Sequence, residues 1–536
     1  ADAQYYYPTL NDTLQIVAST TMGLTLQCAR CHSHKYDPIP QVEFYRLQAI
    51  FMSALRPQAW IPQMERRVFI ASALQKREAD EHNARLDTEA KRLTTELDET
   101  RERFRIRLLD ERLLTLPEPI RDDLRQAVAK KGDERSPVER YLVEKLGSVV
   151  APDPTALAKL LPERYPEFRS DVERHNQSLA ALERQRRHLP ELRALYDLPG
   201  TVSTPLLRRG DPLTPGAPVE PGVLTALAVP EPFAWQPPAT SAKTSGRRLA
   251  FARWLTQPGH PLTARVMVNR LWLHHFGEGL VGTPEDFGTL GAPPTHPELL
   301  DWLAREFVEG GWRLKRLHRL LMTSRVYRQQ SLAGSVEQAA AREVDPENRW
   351  LWRQRLRRLE AEPLRDAVLA VTGLLDQAMY GTPIPLARRP GGEVTVADGA
   401  SDRRRAVYLQ VSRSNPLTLL HAFDQPVMET NCTRRGRSTV ATQALTLLNS
   451  DWMQQAAEAL ADRLTHEAGG APIAAAVRLA YSRQPLPSEL TDFEEFVQRQ
   501  RSNYATSGAD DASAMRRALA DLCHMLLSAN EFVYVD

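Results

Sequence analysis

Long hydrophobic runs are absent from this 536-residue sequence. No window approaches the roughly 18 uninterrupted apolar residues that a membrane-spanning helix needs, so we expect no transmembrane segment. An excess of one charge is also lacking, because the formal net charge is only +2, which gives no support for nucleic-acid binding. The composition is close to that of average soluble globular proteins, which excludes a disordered, collagen-like or coiled-coil rod.

A leader sequence is missing as well. Residues 1–21 contain neither a basic segment nor the apolar core of a signal peptide. We therefore expect a chain that has been processed or whose upstream part is not included.

Cysteine is scarce, with four residues, which is too few for a disulfide scaffold. Two of the four are close together in Cys28-Ala29-Arg30-Cys31-His32, a C-x-x-C-H with the spacing of covalent c-type haem attachment. In such a site the two thiols add across the haem vinyl groups, and the following histidine becomes the proximal iron ligand. The sequence thus predicts one covalent haem c on Cys28 and Cys31, with His32 as the metal ligand.

The second axial ligand is not determined by this motif. Met22, Met52 and His34 are the candidates, because all three lie near the cysteines in sequence. His34 is so close to His32 that we expect it to contact the haem edge or a propionate instead. Lys35 and Tyr36 are further, weaker candidates for contact with the cofactor.

Two other chemistries use the same atoms. Cys28, Cys31, His32 and His34 could form a zinc site, although zinc ligands usually come as two pairs separated by a dozen or more residues. The cysteines could also form a disulfide or redox pair, although the strand-loop-helix pattern of such proteins is not found here. Both alternatives remain open at this point.

The periodicity predicts a mainly α protein with four segments. These are a haem-binding segment (1–65), a long antiparallel helical hairpin (66–195), a Pro- and Gly-rich β segment or linker (196–240) and a large helical domain (241–536). The hairpin is rich in Glu, Lys, Arg, Ala and Leu, which favours long charged helices. We interpret it as an insertion with a solvated face, or alternatively as a docking arm.

Polar residues cluster at two places in the last segment. The first cluster contains Asn269, Arg270 and His274, and the second contains Asp424, Arg434 and Arg435. Arginines that converge near a helix start can bind a carboxylate, a sulfate or a haem propionate. The alternative is a buried Arg–Asp network that braces the domain. All six residues are weak catalytic candidates.

The run GLTLQCARCHSHKYDPIPQVEFYRLQAIF resembles a cytochrome-like domain of unknown function that is expanded in planctomycetes. Stretches such as LAFARWLTQPGHPLTARVMVNRLWLHHFGEGLVGTPEDFG and TRRGRSTVATQALTLLNS resemble the planctomycete-specific domain of unknown function that is normally fused behind it. The resemblance implies a haem, an exported protein and a role near polysaccharide breakdown, but no established reaction. It also implies that the upstream part of the cytochrome-like domain, and often a separate haem domain, is missing from this chain.

Together these features predict an exported c-type haem protein, in the periplasm or otherwise outside the cytoplasm, that transfers electrons to or from a redox partner protein. The first alternative is a haem-dependent oxidoreductase that acts on a carbohydrate. The second is a non-catalytic scaffold or glycan-binding protein. The missing amino-terminal half or another haem domain is a further expected partner, a glycan is a third, and no nucleic acid is expected.

Overall fold

The computed structural model is mainly helical, with small antiparallel sheets, and the prediction of a mainly α fold is confirmed. Within the part of the chain that is described, no helix is long and apolar enough to cross a membrane. The described residues are 3–200, 202–236, 244–331, 336–401, 403–426, 432–467 and 469–535.

The chain divides into two compact units, residues 61–196 and the remainder, 1–60 with 197–536. The smaller unit lies where the sequence analysis places the helical insertion. The three other predicted segments lie in the larger unit, except for residues 61–65 and 196, which belong to the smaller one.

The amino-terminal part of the larger unit contains two helices, α1 (Tyr7–Thr21) and α2 (Gln41–Met52). The buried side chain of Gln48 donates to Asn11 Oδ1 at 2.9 Å and ties these helices together. Gln15 fixes the chain after α1, because its Oε1 accepts from Leu26 N at 2.7 Å and its Nε2 donates to Leu24 O. The cysteine segment therefore starts from a fixed point.

The smaller unit contains five helices and one two-stranded antiparallel ribbon. Its elements are β1 (Arg67–Phe69), α3 (Ala73–Leu113), α4 (Arg121–Ala129), α5 (Pro137–Val150), α6 (Pro154–Arg164), α7 (Pro166–Gln185) and β2 (Glu191–Arg193). Ser72 begins α3 with a capping box, which satisfies the first free backbone N–H groups of the helix. Helices α3 and α7 run antiparallel, since Arg107 pairs with Glu167 at one end and His82 contacts Gln185 at the other.

A β-hairpin follows the smaller unit in sequence. Strands β3 (Thr204–Leu207) and β4 (Pro215–Val219) pair antiparallel, with Pro205 opposite Pro218. The connection contains Arg209 in the left-handed region, at φ +51°, next to Gly210. Residue 201 and residues 237–243, which the sequence analysis assigns partly to this β segment, lie outside the described residues.

The rest of the larger unit is mostly helical, with two more short antiparallel pairings in its described residues. Its helices are α8 (Arg247–Leu255), α9 (Thr263–Phe276), α10 (Pro297–Glu309), α11 (Leu314–Met322), α12 (Val336–Val344), α13 (Ala361–Val371), α14 (Thr418–Ala422), α15 (Ala441–Asn449), α16 (Asp451–Glu467), α17 (Pro472–Tyr481), α18 (Pro487–Thr506), α19 (Asp511–Ser528) and α20 (Asn530–Val533). Its strands are β5 (Arg357–Arg358), which pairs with β8 (Tyr534–Val535), and β6 (Leu386–Arg388), which pairs with β7 (Val394–Val396).

Two apolar cores support this part. One is built around α16 and α19 from small and branched side chains, among them Leu460, Leu522 and Cys523. The other packs α9 against α10 and α11 through Trp272, Phe276 and further aromatic residues. Helix α9 ends at Gly277, whose φ of +83° is a left-handed conformation that favours glycine. These cores place the end of α9 next to β5.

Candidate functional site

The two close cysteines lie on one tight turn. Residues Gln27–Arg30 form a 3₁₀ helix, and Cys31 N donates to Cys28 O at 3.3 Å just beyond it. Side chains three residues apart in such a turn project to the same side. Both thiols are free, Cys28 is exposed and Cys31 is half-buried. The turn therefore presents two reduced sulfurs to one side of the chain, where solvent reaches them.

His32 follows directly and is exposed. Its Nδ1 lies 2.7 Å from the carbonyl oxygen of Ser33, and because a carbonyl can only accept, Nδ1 carries the proton and donates. The lone pair of the neutral ring is then on Nε2, which has no hydrogen-bond partner among the described residues. Histidines that ligate a metal commonly donate their other ring N–H to a backbone carbonyl in this way, which sets their tautomer.

The cysteine turn is braced from α2. Tyr45 Oη donates to Arg30 O at 2.8 Å, and Gln41 Nε2 donates to the same oxygen at 3.0 Å. Burial raises the pKa of Tyr45, and the nearby Cys31 thiol raises it further. Tyr45 thus remains a neutral donor, which keeps the backbone of the turn fixed.

The turn of the β-hairpin packs against the sulfur of Cys31. A Cβ placed on Gly210 would lie 2.8 Å from the Cys31 sulfur, which is closer than such atoms approach. Gln41 Nε2 also donates to Leu207 O at 3.3 Å, so one side chain of α2 holds both the cysteine turn and the hairpin. Arg208 and Arg209 are exposed beside it.

His34, in contrast, belongs to a second turn. Its Nδ1 accepts from Asp37 N at 2.9 Å, which leaves the proton on Nε2, and its side chain is only 5% exposed. Lys35 and Tyr36 project to solvent, with the Lys35 ammonium 5.1 Å above the Tyr36 ring. Of the three weaker cofactor-contact candidates, only Lys35 and Tyr36 are at the surface.

The second turn is anchored by a distant loop that the sequence analysis does not link to it. Asp37 Oδ1 accepts from Thr289 N at 2.7 Å, and a Cβ on Gly288 would lie 2.7 Å from both carboxylate oxygens of Asp37. Nearby, Phe287 N donates to Gly23 O at 2.6 Å. Loop 283–291 thus fixes the chain on both sides of the cysteine turn.

The methionine candidates for the second axial ligand lie in the interior. Met22 and Met52 are each 1% exposed, whereas His32 is at the surface. Ligation by either sulfur would require that side chain to leave the core, at a cost of roughly 2–5 kcal/mol for an emptied buried site. In the described part of the chain, no three His, Cys, Asp or Glu side chains are grouped so that they could hold a metal ion.

Asn269, one of the catalytic candidates, has a structural role. It is completely buried, its Nδ2 donates to Val281 O at 3.0 Å, and its Oδ1 accepts from Val281 N at 2.8 Å. A Cβ on Gly279 would lie 2.8 Å from the amide of this side chain. Both polar atoms of Asn269 are therefore used to hold loop 279–281 against α9.

Asp424 also has a structural role. Its carboxylate pairs with Arg358 and accepts from Ser438 N and Ser438 Oγ at 2.8 Å each. Burial acts to raise the pKa of Asp424, but the bonds from Ser438 and the charge of Arg358 lower it overall. The buried Arg–Asp network that the sequence analysis weighs as an alternative is present, but its arginine is Arg358. Arg434, in contrast, is exposed.

Arg270, His274 and Arg435 come together with two arginines that the sequence analysis does not single out. Arg357 Nη1 donates to His274 O at 2.9 Å, and Arg437 Nη1 and Arg357 Cδ both lie within 3.4 Å of a Cβ placed on Gly277. We call Arg270, Arg357, Arg435 and Arg437 around His274 the arginine cluster.

The arginine cluster is set against two carboxylates. Arg435 pairs with Glu362 at 2.6 Å and with Glu360 at 3.1 Å, and Arg437 approaches Glu360 at 3.7 Å. Burial lowers the pKa of His274, Glu360 opposes this, and the charges of Arg435, Arg270 and Arg437 lower it further. His274 is thus held as a neutral imidazole. The three arginines followed by two glutamates in residues 355–362 are the sequence signal that would have pointed to this cluster.

The comparisons with known proteins agree with the domain resemblance. Residues 247–497 match the family model PSD1, a protein of unknown function (DUF1553), and residues 1–55 match PSCyt2, also a protein of unknown function (DUF1549). The presence of two planctomycete-type domains of unknown function is thereby confirmed, while neither description mentions a cytochrome. No curated protein and no solved structure matches the chain.

Proposed function

We propose that this protein is an exported c-type haem protein that carries electrons to or from a redox partner. One haem would be bound covalently by Cys28 and Cys31, with His32 as the proximal ligand. When bound, the haem supplies a reversible one-electron change at its iron.

The hydrogen bond of His32 carries this proposal. Because Nδ1 donates to Ser33 O, the ring offers the Nε2 lone pair toward solvent, which is the form a metal ligand needs. The two sulfurs on the preceding turn are free and project to one side. The donor set thus fits the group in identity, spacing and tautomer.

The surrounding charges fit the same group. Arg30, Lys35, Arg208 and Arg209 are exposed on or next to the cysteine turn, and their positive charges would attract the propionates of a haem or an acidic partner. The braces from Tyr45 and Gln41 limit movement of the turn. A rigid surround of this kind reduces the rearrangement that accompanies a change of charge.

A haem-dependent oxidoreductase is the second candidate, because of where the axial candidates lie. Met22 and Met52 are in the core, and the neutral His34 ring carries its proton on Nε2. If none of them reaches the iron, the second axial position is open, which favours chemistry on a bound molecule over simple electron transfer.

The test is expression of the chain with an export signal in a host that attaches c-type haem. A pyridine haemochrome spectrum with the band of two thioether bonds is expected, and the Cys28→Ala/Cys31→Ala double variant should lack it. The matched control is Cys432→Ala, since Cys432 is an exposed, free cysteine far from the turn in sequence. Protein without covalent haem, although it is folded and exported, would overturn the proposal.

Carbon monoxide then separates the two candidates. Rapid binding to the reduced protein indicates an open axial position and favours the oxidoreductase. Absence of binding indicates a second protein ligand and favours electron transfer. Met22→Leu and Met52→Leu, which conserve volume, should leave the spectrum unchanged if the sulfurs stay in the core.

A further inference from the structure

The arginine cluster holds more positive charge than its carboxylates neutralise. It contains four guanidinium groups, and within the described ranges, which leave out residues 427–431, the carboxylates paired with them are those of Glu360 and Glu362. Among the described residues, Arg270 and Arg357 have no ion-pair partner; Arg270 donates to Thr20 O at 3.2 Å and Arg357 to His274 O at 2.9 Å. These two guanidinium groups therefore have no carboxylate in direct contact within the described part of the chain, and Glu360 acts on Arg357 only from a distance.

These two arginines are also partly removed from water. Burial lowers the pKa of both Arg270 and Arg357, and the neighbouring Arg437 lowers that of Arg357 further. The Nε atom of Arg357 is buried and has no hydrogen-bond acceptor in the described structure. Unpaired charges and unsatisfied donors of this kind are unfavourable unless an acceptor-rich anion joins them.

The geometry of the groups brings them to one place. Arg270 and His274 are one turn apart on α9 and hence on the same face of the helix. Arg357 and Arg437 both flank Gly277 at the end of that helix, where the missing side chain leaves room for them. The cations come from three separate segments, which is typical of a binding site and not of a solvated run of charges.

We propose that the arginine cluster binds a tetrahedral dianion, the sulfate or phosphate group of a small ligand. A dianion can face both of the guanidinium groups that no described carboxylate contacts, and guanidinium groups match the spacing of its oxygens. The neutral imidazole of His274 can donate one further hydrogen bond. This site does not depend on a haem at Cys28 and Cys31.

Isothermal titration of the full chain with inorganic sulfate, and separately with inorganic phosphate, tests the proposal. The ionic strength is kept constant with sodium chloride, so that chloride is the competing monoanion. Saturable binding with one site per chain is expected. Arg357→Gln and Arg270→Gln should each weaken it by about tenfold or more, because each removes a charged donor.

Arg434→Gln is the matched control, because Arg434 is exposed on the same loop as Arg435 and Arg437 and belongs to neither ion pair. Its affinity should equal that of the unaltered chain. If Arg357→Gln does not fold, Arg437→Gln replaces it, since Arg437 is more exposed and only loosely paired. Circular dichroism of each variant shows whether its helices are intact.

The two ions are distinguished by pH. Sulfate keeps both charges between about pH 6 and about pH 8, whereas phosphate gains its second charge over that range, so only phosphate should bind more tightly as the pH rises. The Cys28→Ala/Cys31→Ala variant should bind as well as the unaltered chain. Absence of saturable binding by either ion, or an equal loss in Arg434→Gln, would overturn the proposal.

Discussion

The cysteine turn and the arginine cluster differ in how their chemistry is assembled. Cys28, Cys31 and His32 lie within five residues of chain, and the three-residue spacing of the cysteines in a tight turn brings their two side chains to one side. The arginine cluster draws its members from α9, β5 and the loop before α15, and only packing brings them together. A ligand set of the first kind can be recognised in a sequence, whereas one of the second kind needs the fold.

The residues that hold each site in place show the reverse pattern. The cysteine turn depends on distant residues, namely α2 behind it and loop 283–291 beside it. Helix α9, which carries Arg270 and His274 of the arginine cluster, is held in part by its own Asn269 and a loop only twelve residues away. Variants of these supporting residues should therefore show which effects come from the ligand groups themselves and which come from the residues that hold them in place.

The largest expected effect is a loss of stability at Asp424, which binds Ser438 in the loop that carries Arg435 and Arg437. Asp424→Asn leaves the nearly buried Arg358 without its counter-charge, and such a change destabilises by about 3–5 kcal/mol. Urea unfolding followed by circular dichroism measures it. The control is Asp398→Asn, whose ion pair with Arg389 is exposed to solvent, so that its loss should change stability far less. Equal stability of the two variants would contradict the network.

The second-largest expected effect is a loss of stability at α9. Asn269→Ala removes both partners of Val281, so that a buried N–H and a buried C=O are unsatisfied, at a cost of about 2–4 kcal/mol. Sulfate affinity should fall together with stability, because the end of α9 loses its support. Asn503→Ala, on the exposed face of α18, is the control and should change neither quantity. An effect as small as that of the control would show that the loop is held by other contacts.

A smaller effect on stability is expected from Asp197, which accepts a hydrogen bond from Ser53 just after α2. Burial acts to raise the pKa of Asp197, but hydrogen bonds from Ser245, Thr244 and Ser53 lower it to about 2. Because the folded pKa is below the unfolded value of about 3.9, its contribution of about 2 kcal/mol is present above about pH 4 and is lost as the pH falls toward about 2.

Urea midpoints at pH values on either side of that window measure this contribution. Asp197→Asn has no such titration, so its stability should vary less with pH than that of the unaltered chain. An unchanged pH dependence in the variant would assign the loss of stability to other carboxylates.

The smallest effect is expected beside the cysteine turn. Gly288→Ala places a methyl group 2.7 Å from both oxygens of Asp37, and overpacking of this kind costs about 1–2 kcal/mol. Gly391→Ala is the control, because no atom lies within 4 Å of its added Cβ. Covalent haem should still form in Gly288→Ala, since the thiols and His32 are unchanged. Loss of haem attachment in this variant would mean that the second turn belongs to the site.

Much of the fold followed from local patterns. The helical periodicity of the larger unit and the charged helices of residues 66–195 predicted a mainly α protein, and the capping box at Ser72 is visible in the sequence itself. The burial of Met22 and Met52 could not be predicted from these patterns, because a methionine near a motif can equally well point into the core. The partner of Asp424 was also not predictable. Residues 353–365 contain five arginines, and sequence spacing does not show which of them is buried beside Asp424.

The sequence by itself determined the spacing of two thiols and one imidazole, because three or four residues of chain can bring such groups together only in a tight turn. The sequence did not show which nitrogen of His32 carries the proton, since this depends on the local backbone conformation that places the carbonyl of Ser33 next to the ring. Only the tertiary structure decided that Tyr45 and Gln41 hold the turn in that conformation. It also decided that the arginines meet with an excess of charge, because a pair of charges distant in sequence acts only when packing brings the two groups within a few ångströms.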